Sequence, residues 1–256
     1  MLDWLRTRLA QPRATVAISG DLVSLPERFR GRPSVSGNGS PAGSERLPGR
    51  PSPDVSTDAR RLPVLDVGAC LFSPEEAVDT PERRISFTRD YRMATSTRDG
   101  LVSRTGEIEL AHALEERTRR LFGRSLRLRS VAAGSCGGCE AELVALGNVV
   151  FDLSRFGIQF VASPRHADGI VVTGAVSTNM RAALERSYAA VADPKIVIAV
   201  GACAISGGPF AGSPAVLDGV PSSIPVDLWI PGCPPHPLTM LDGMLRMLGR
   251  LEGGSR

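Results

Sequence analysis

The most constraining feature of this chain is a short run, Lys195-Ile-Val-Ile-Ala-Val200, in which five consecutive residues are aliphatic before Gly201. A strand with one face in water alternates apolar and polar residues. A strand apolar on both faces belongs in the middle of a parallel sheet covered by helices. The segments around this run fit that setting. Strands are expected at 126–131, 158–162, 169–174 and 226–230, and helices at 139–146, 179–191 and 237–251. In the helix at 179–191, Met180, Ala183, Leu184, Tyr188 and Val191 recur at helical spacing. Strands alternating with helices over residues 125–251 predict an α/β domain with a doubly wound parallel sheet.

Composition narrows the function classes. The 256 residues carry a net charge of +3, too small an excess to argue for nucleic acid. Lys195 is the only lysine, so the basic residues are nearly all arginine. No run of 18 uncharged apolar residues occurs, which argues against a transmembrane helix. Met1 to Ala10 lacks the apolar core and cleavage site of a signal peptide, so a cytoplasmic location is expected. Thiols stay reduced there, and cysteines serve as metal ligands or catalytic groups more than as disulfides. The cysteines are Cys70, Cys136, Cys139, Cys203 and Cys233, an odd number that argues against complete pairing.

The first half divides by composition. Residues 1–30 hold a short amphipathic segment in which Trp4, Leu5 and Leu9 lie among Arg6, Arg8 and Arg13. It suits a partner protein, a membrane surface or a frayed terminus. Residues 31–61 are rich in Gly, Pro, Ser and Arg and are read as a flexible segment. Residues 62–104 contain strand-like pieces at 62–65 and 85–87 around Cys70. Residues 105–124 are expected to form a helical connector, with acids at 107–116 and arginines at 117–120 matching the helix dipole.

The four cysteines of the second half all follow strands. Cys136 and Cys139 lie between the strand at 126–131 and the next helix, Cys203 follows the strand at 195–200, and Cys233 follows that at 226–230. In an open parallel sheet the carboxyl ends of the strands share one rim, where ligands bind. Thiols far apart in sequence therefore converge in space, each with glycine beside it to admit a bulky group. Four such thiolates can hold a 4Fe-4S cluster or a zinc ion. Structural zinc sites favour two close pairs; here one C-x2-C pair is followed by singles 64 and 30 residues on, with no His or Asp in the set. That spacing favours the cluster.

Four motifs carry a resemblance: Gly134-Ser-Cys-Gly-Gly-Cys-Glu140, Val172-Thr-Gly-Ala175, Val200-Gly-Ala-Cys-Ala-Ile-Ser-Gly-Gly208 and Ile230-Pro-Gly-Cys-Pro-Pro-His-Pro237. Together they resemble the family that unites the B subunit of complex I with the small subunits of nickel–iron hydrogenases. The branch of membrane-associated, complex I-related hydrogenases, with formate hydrogenlyase and hydrogenase-4, is the most similar. The resemblance covers about residues 125–251. It implies a flavodoxin-like fold holding one 4Fe-4S cluster on Cys136, Cys139, Cys203 and Cys233. It also implies electron exchange with a large catalytic subunit, membrane-arm and other iron–sulfur partners, and a peripheral place on the inner face of the cell membrane. Complex I has adjacent cysteines where this chain has C-x2-C, which favours the hydrogenase-like branch over a quinone-reducing relative. A non-redox zinc scaffold is the alternative from another class.

A second pattern lies upstream. Cys70, Ser73, Glu76, Thr80 and Pro81 reproduce the spacing of the bacterial ferredoxin site C-x2-C-x2-C-x3-C-P with one cysteine kept, and Ser52-Pro53 is a weaker match to another. The region resembles a fused, degenerate ferredoxin-like partner and is expected to bind no cluster, since one thiolate cannot hold a cubane. Catalytic residues are not expected in this chain, which lacks a nickel site, a nucleophile triad and a phosphate loop. Glu140 and Glu142 open the helix after Cys139, suited to a proton relay, a partner contact or the helix dipole. His236, which follows Cys233, is expected at the surface, with donation to a sulfur, or a place near a quinone in a quinone-reducing relative, as the alternatives. Thr173-Gly174 is expected to shape the pocket.

Overall fold

The computed structural model describes residues 3–10, 14–18, 23, 25–36, 65–74, 78–79, 84–103, 107–122 and 125–251. Residues 37–61 of the Gly/Pro/Ser-rich segment, and Ser52, Glu76, Thr80 and Pro81 of the ferredoxin-like spacing, lie outside them. The first half contains α1 (Asp3–Ala10), β1 (Pro33–Ser36), β2 (Leu65–Asp66), β3 (Val78–Asp79), β4 (Arg84–Phe87), β5 (Val102–Ser103) and α2 (Glu116–Phe122). The second half runs β6 (Leu126–Ala132), α3 (Gly138–Ala145), β7 (Ile158–Phe160), β8 (Gly169–Thr173), α4 (Thr178–Ala190), β9 (Ile196–Val200), α5 (Ala202–Ser206), β10 (Leu228–Ile230) and α6 (Pro237–Met247).

The second half forms a five-stranded sheet in the order β10-β9-β8-β6-β7, with every neighbouring pair parallel. Numbered within the domain, that is the flavodoxin-like order 2-1-3-4-5. The all-aliphatic run falls on β9, and every residue of β8 and β9 is buried. Ala132 of β6 faces Thr173 of β8, Thr173 faces Val200 of β9, and Val200 faces Ile230 of β10. Four strands therefore end level with one another, on one rim.

The first half packs onto this domain as a strap. Thr95 and Trp229 exchange backbone hydrogen bonds of 3.0 and 2.9 Å, so the strap pairs with the edge strand β10. The Ala94 carbonyl accepts from Ala111 N–H at 2.7 Å, and the Met247 carbonyl from Leu114 N–H at 2.9 Å. The helix expected over 105–124 is confined to α2, and residues 107–115 are not helical. Helix propensities differ by no more than about 0.7 kcal/mol per ordinary residue. Burying Ile108 contributes about 1.5–3 kcal/mol, and the two backbone bonds above are available only to an extended segment.

Two further features complete the frame. Every residue of α6 is buried, including Asp242 and Arg246, which pair with each other at 2.8 Å. By contrast α1 has no buried residue and leaves Trp4, Leu5 and Leu9 exposed. The first half also carries two small antiparallel sheets, ordered β1-β4-β3 and β2-β5. Among the described residues, no helix is long and apolar enough to cross a membrane.

Strap and α6 meet at Gly243. A Cβ there would stand 2.5 Å from Ala94 Cβ, too close for two carbons. Gly243→Val should destabilise the chain by about 1–3 kcal/mol through overpacking. Chemical denaturation of the two proteins measures this, and an unchanged midpoint would contradict the packing.

Candidate functional site

The rim is built by chain reversals at the strand ends. After β6 the backbone turns through Gly134 and Ser135 to Cys136, then through Gly137 into α3, whose first turn carries Cys139. After β9 the chain enters α5 at Gly201, with Cys203 in its first turn. After β10 comes Pro231-Gly-Cys-Pro-Pro235. The last two loops are tied together: Gly201 N–H donates to the Ile230 carbonyl at 2.8 Å, and Ala202 N–H to the Gly232 carbonyl at 2.9 Å. The parallel register sets the level of each loop, and these bonds set its position along the rim.

Cys136, Cys139, Cys203 and Cys233 lie along this rim, near enough to act on one another's ionisation, though among the described residues no three of His, Cys, Asp and Glu are grouped closely enough to hold one ion. Cys139 and Cys203 are buried, at 8% and 7% exposure, Cys233 is half-buried and Cys136 is exposed. Burial pushes the Cys139 thiol up to about 12, and Cys203, Glu140, Cys233 and Cys136 push it the same way. Burial likewise pushes Cys203 up to about 11, with Cys233, Cys136 and Glu140 adding to it. Thiols that oppose one another's ionisation in this way become thiolates together only around a positive centre. The donor set, four sulfurs with no imidazole, is that of a soft metal or an iron–sulfur cluster.

Glycine makes the room. Gly201 has φ +89°, and a Cβ there would stand 2.5 Å from Cys139 Sγ. Gly208 has φ +53°, and its Cβ would stand 2.9 Å from Cys203 Sγ. Any side chain at either position would collide with a sulfur and strain the backbone.

Glu140 sits inside the rim. Ser135 Oγ and Thr173 Oγ1 both donate to its Oε1, each at 2.5 Å. Burial raises its pKa, and these two hydroxyls together with its own backbone N–H more than offset that, holding it below the ordinary value. Thr173 thus shapes the pocket through Glu140, a partnership that spacing alone does not reveal. Burial raises Glu142.

His236 is not the surface residue expected. It caps α6, with Nδ1 accepting from Leu238 N–H at 3.2 Å, and its ring meets the edges of Phe29 and Phe151. Burial lowers its pKa, which favours the neutral ring that this cap needs. A cue is present in the sequence, since Pro237 at the first helical position marks His236 as the cap. Cys70 is buried in a separate apolar cluster with Leu65, Val67, Met93, Leu101 and Ile205, and Phe72 N–H points to its sulfur at 3.4 Å.

Comparison with known proteins bears on this rim. Residues 136–247 match the family described as NADH ubiquinone oxidoreductase, 20 Kd subunit. Formate hydrogenlyase subunit 7 of Escherichia coli (strain K12) is 46% identical over 129 residues, 50% of this chain and 51% of that protein. The NADH-quinone oxidoreductase B subunit of Heliobacterium modesticaldum is 44% identical, over 46% of this chain and 68% of that protein. The probable membrane-bound hydrogenase subunit mbhJ of Pyrococcus furiosus is 42% identical, over 54% of this chain and 84% of that protein. The chain thus spans about half the length of formate hydrogenlyase subunit 7.

The raised thiols make a measurable prediction for metal-free chain. A thiol pushed up to about 12 is protonated at pH 8, and only its thiolate reacts. Cys139 should alkylate at least about tenfold more slowly than exposed Cys136, and its rate should climb as pH rises towards 12. Mass spectrometry after timed iodoacetamide treatment reads both. Equal rates at pH 8 would contradict this account of the site.

Proposed function

Because this chain belongs to the family of the NADH ubiquinone oxidoreductase 20 Kd subunit and its hydrogenase relatives, we propose that it is a small electron-transfer subunit holding one 4Fe-4S cluster. The observation that carries the reading is the level ending of β6, β8, β9 and β10, which supports Cys136, Cys139, Cys203 and Cys233 as one ligand set.

The residues present fit such a group. Four sulfurs with no imidazole, two of them buried, are a donor set that an iron–sulfur cluster takes, and one C-x2-C pair followed by two singles suits the cluster better than a structural zinc with its two close pairs. When bound, the cluster would take up and release single electrons. Cys139 and Cys203 keep its inner side dry, Gly201 and Gly208 give it space, and exposed Cys136 marks the side open to a partner.

The partner in this reading is the large catalytic subunit of a membrane-associated, complex I-related hydrogenase of the formate hydrogenlyase or hydrogenase-4 type. The C-x2-C pair supports that branch, while relatives of both kinds match at similar identity: formate hydrogenlyase subunit 7 and mbhJ at 46% and 42%, and an NADH-quinone oxidoreductase B subunit at 44%. Val144, at the end of the cysteine-bearing α3, is 78% exposed, and Phe210, just beyond α5, is 43% exposed. Phe210 follows Gly208, which adjoins the Cys203 sulfur, and a large apolar side chain left in solvent there suits a permanent interface. The N-terminal region enters the proposal as an in-chain remnant of a ferredoxin-like neighbour that binds no cluster of its own.

Single substitutions test the ligand set. Cys136→Ala, Cys139→Ala, Cys203→Ala or Cys233→Ala should each lose most of the iron of protein purified without oxygen, and lower its stability with it. Cys70→Ser, which changes a residue of the separate apolar cluster, should leave the iron unchanged. Full iron in all four rim variants, or loss of iron in Cys70→Ser, would overturn the assignment.

A further inference from the structure

Glu140 joins three parts of the rim: backbone bonds from Ala133 N–H to the Thr173 carbonyl at 2.8 Å and from Ala175 N–H to the Gly134 carbonyl at 3.2 Å already hold the loop after β6 against the end of β8, and the Glu140 side chain ties α3 to both. It lies in the first turn of α3, Ser135 lies in the loop after β6, and Thr173 is the last residue of β8. Both hydroxyls aim at the same oxygen, Oε1, at 2.5 Å. Two donors on one carboxylate oxygen stabilise the charged form over the neutral one, because charge-assisted bonds are the stronger. The other oxygen, Oε2, is buried and has no hydrogen-bond partner among the described residues. A solvated carboxylate spreads its charge into water. This one has hydroxyls on one oxygen and burial on the other, and it lies close enough to Cys139 and Cys203 to act on both.

We propose that Glu140 is a positioning residue with a second effect: its carboxylate clamps the Cys136–Cys139 loop to the end of β8, and its fixed negative charge lowers the reduction potential of the cluster. This rests on the cluster reading above. Adding an electron to a cluster beside a fixed anion is less favourable than adding one beside a neutral amide of the same shape. The short bonds keep the charge in one place, so its effect is constant and not averaged over rotamers.

The test uses the full chain, purified without oxygen together with its partners, and a redox titration followed by electron paramagnetic resonance. Glu140→Gln keeps the shape and an acceptor for both hydroxyls but removes the charge. Iron content should match the parent, and the midpoint potential should shift positive. Glu185→Gln on the exposed face of α4, where Glu185 pairs with Arg181, removes one charge far from the rim and should leave the potential in place. Full iron in Glu140→Gln with an unchanged potential would overturn the proposal. If Glu140→Gln empties the site, Glu140→Asp decides. Restored iron and a potential near that of the parent support the charged clamp, and failure to restore iron contradicts it. A parent protein without iron, sulfide or a cluster signal would instead overturn the cluster reading itself.

Discussion

Everything at the rim depends on the pairing of two fully buried strands, β8 and β9. Their backbone groups pair mostly with each other and with β6 and β10, so a register slip would leave buried donors and acceptors unpaired, at about 1–3 kcal/mol each. That locks Thr173 level with Val200, and through them Ala132 and Ile230. The four thiols inherit their positions from this register. Sulfur chemistry at the rim is therefore a consequence of aliphatic packing several residues below it.

The same packing holds the crowded rim in place. Gly201 and Gly208 take positive φ beside buried sulfurs, and three buried or half-buried thiols crowd one another. Such an arrangement opposes ionisation of the thiols until a positive centre arrives. The strap from the first half adds stability on the far side, pairing with β10 and closing over α6. Ile205 of α5, two residues from Cys203, packs into the same apolar cluster as Cys70. The first half thus touches the element that carries one rim thiol.

Much of this is legible in the sequence, for identifiable reasons. The run at 195–200 announces a buried central strand because no half-exposed strand can be aliphatic on both faces. The convergence of the four cysteines follows from parallel topology alone. What the sequence conceals is tertiary. Residues 107–115 carry helical periodicity, yet hydrogen bonds to Ala94 and Met247 hold the segment non-helical. Glu140 looks like a first-turn acid, and its role depends on Thr173, 33 residues away, reaching the same oxygen as Ser135. His236 looks like a surface residue because Phe29 and Phe151, which enclose it, come from distant segments.

The central claim, that four thiols on one sheet rim hold one cubane, is tested most directly by elemental analysis of the chain purified without oxygen. The account predicts about four irons and about four acid-labile sulfides per chain. One zinc per chain, or iron without sulfide, would contradict it.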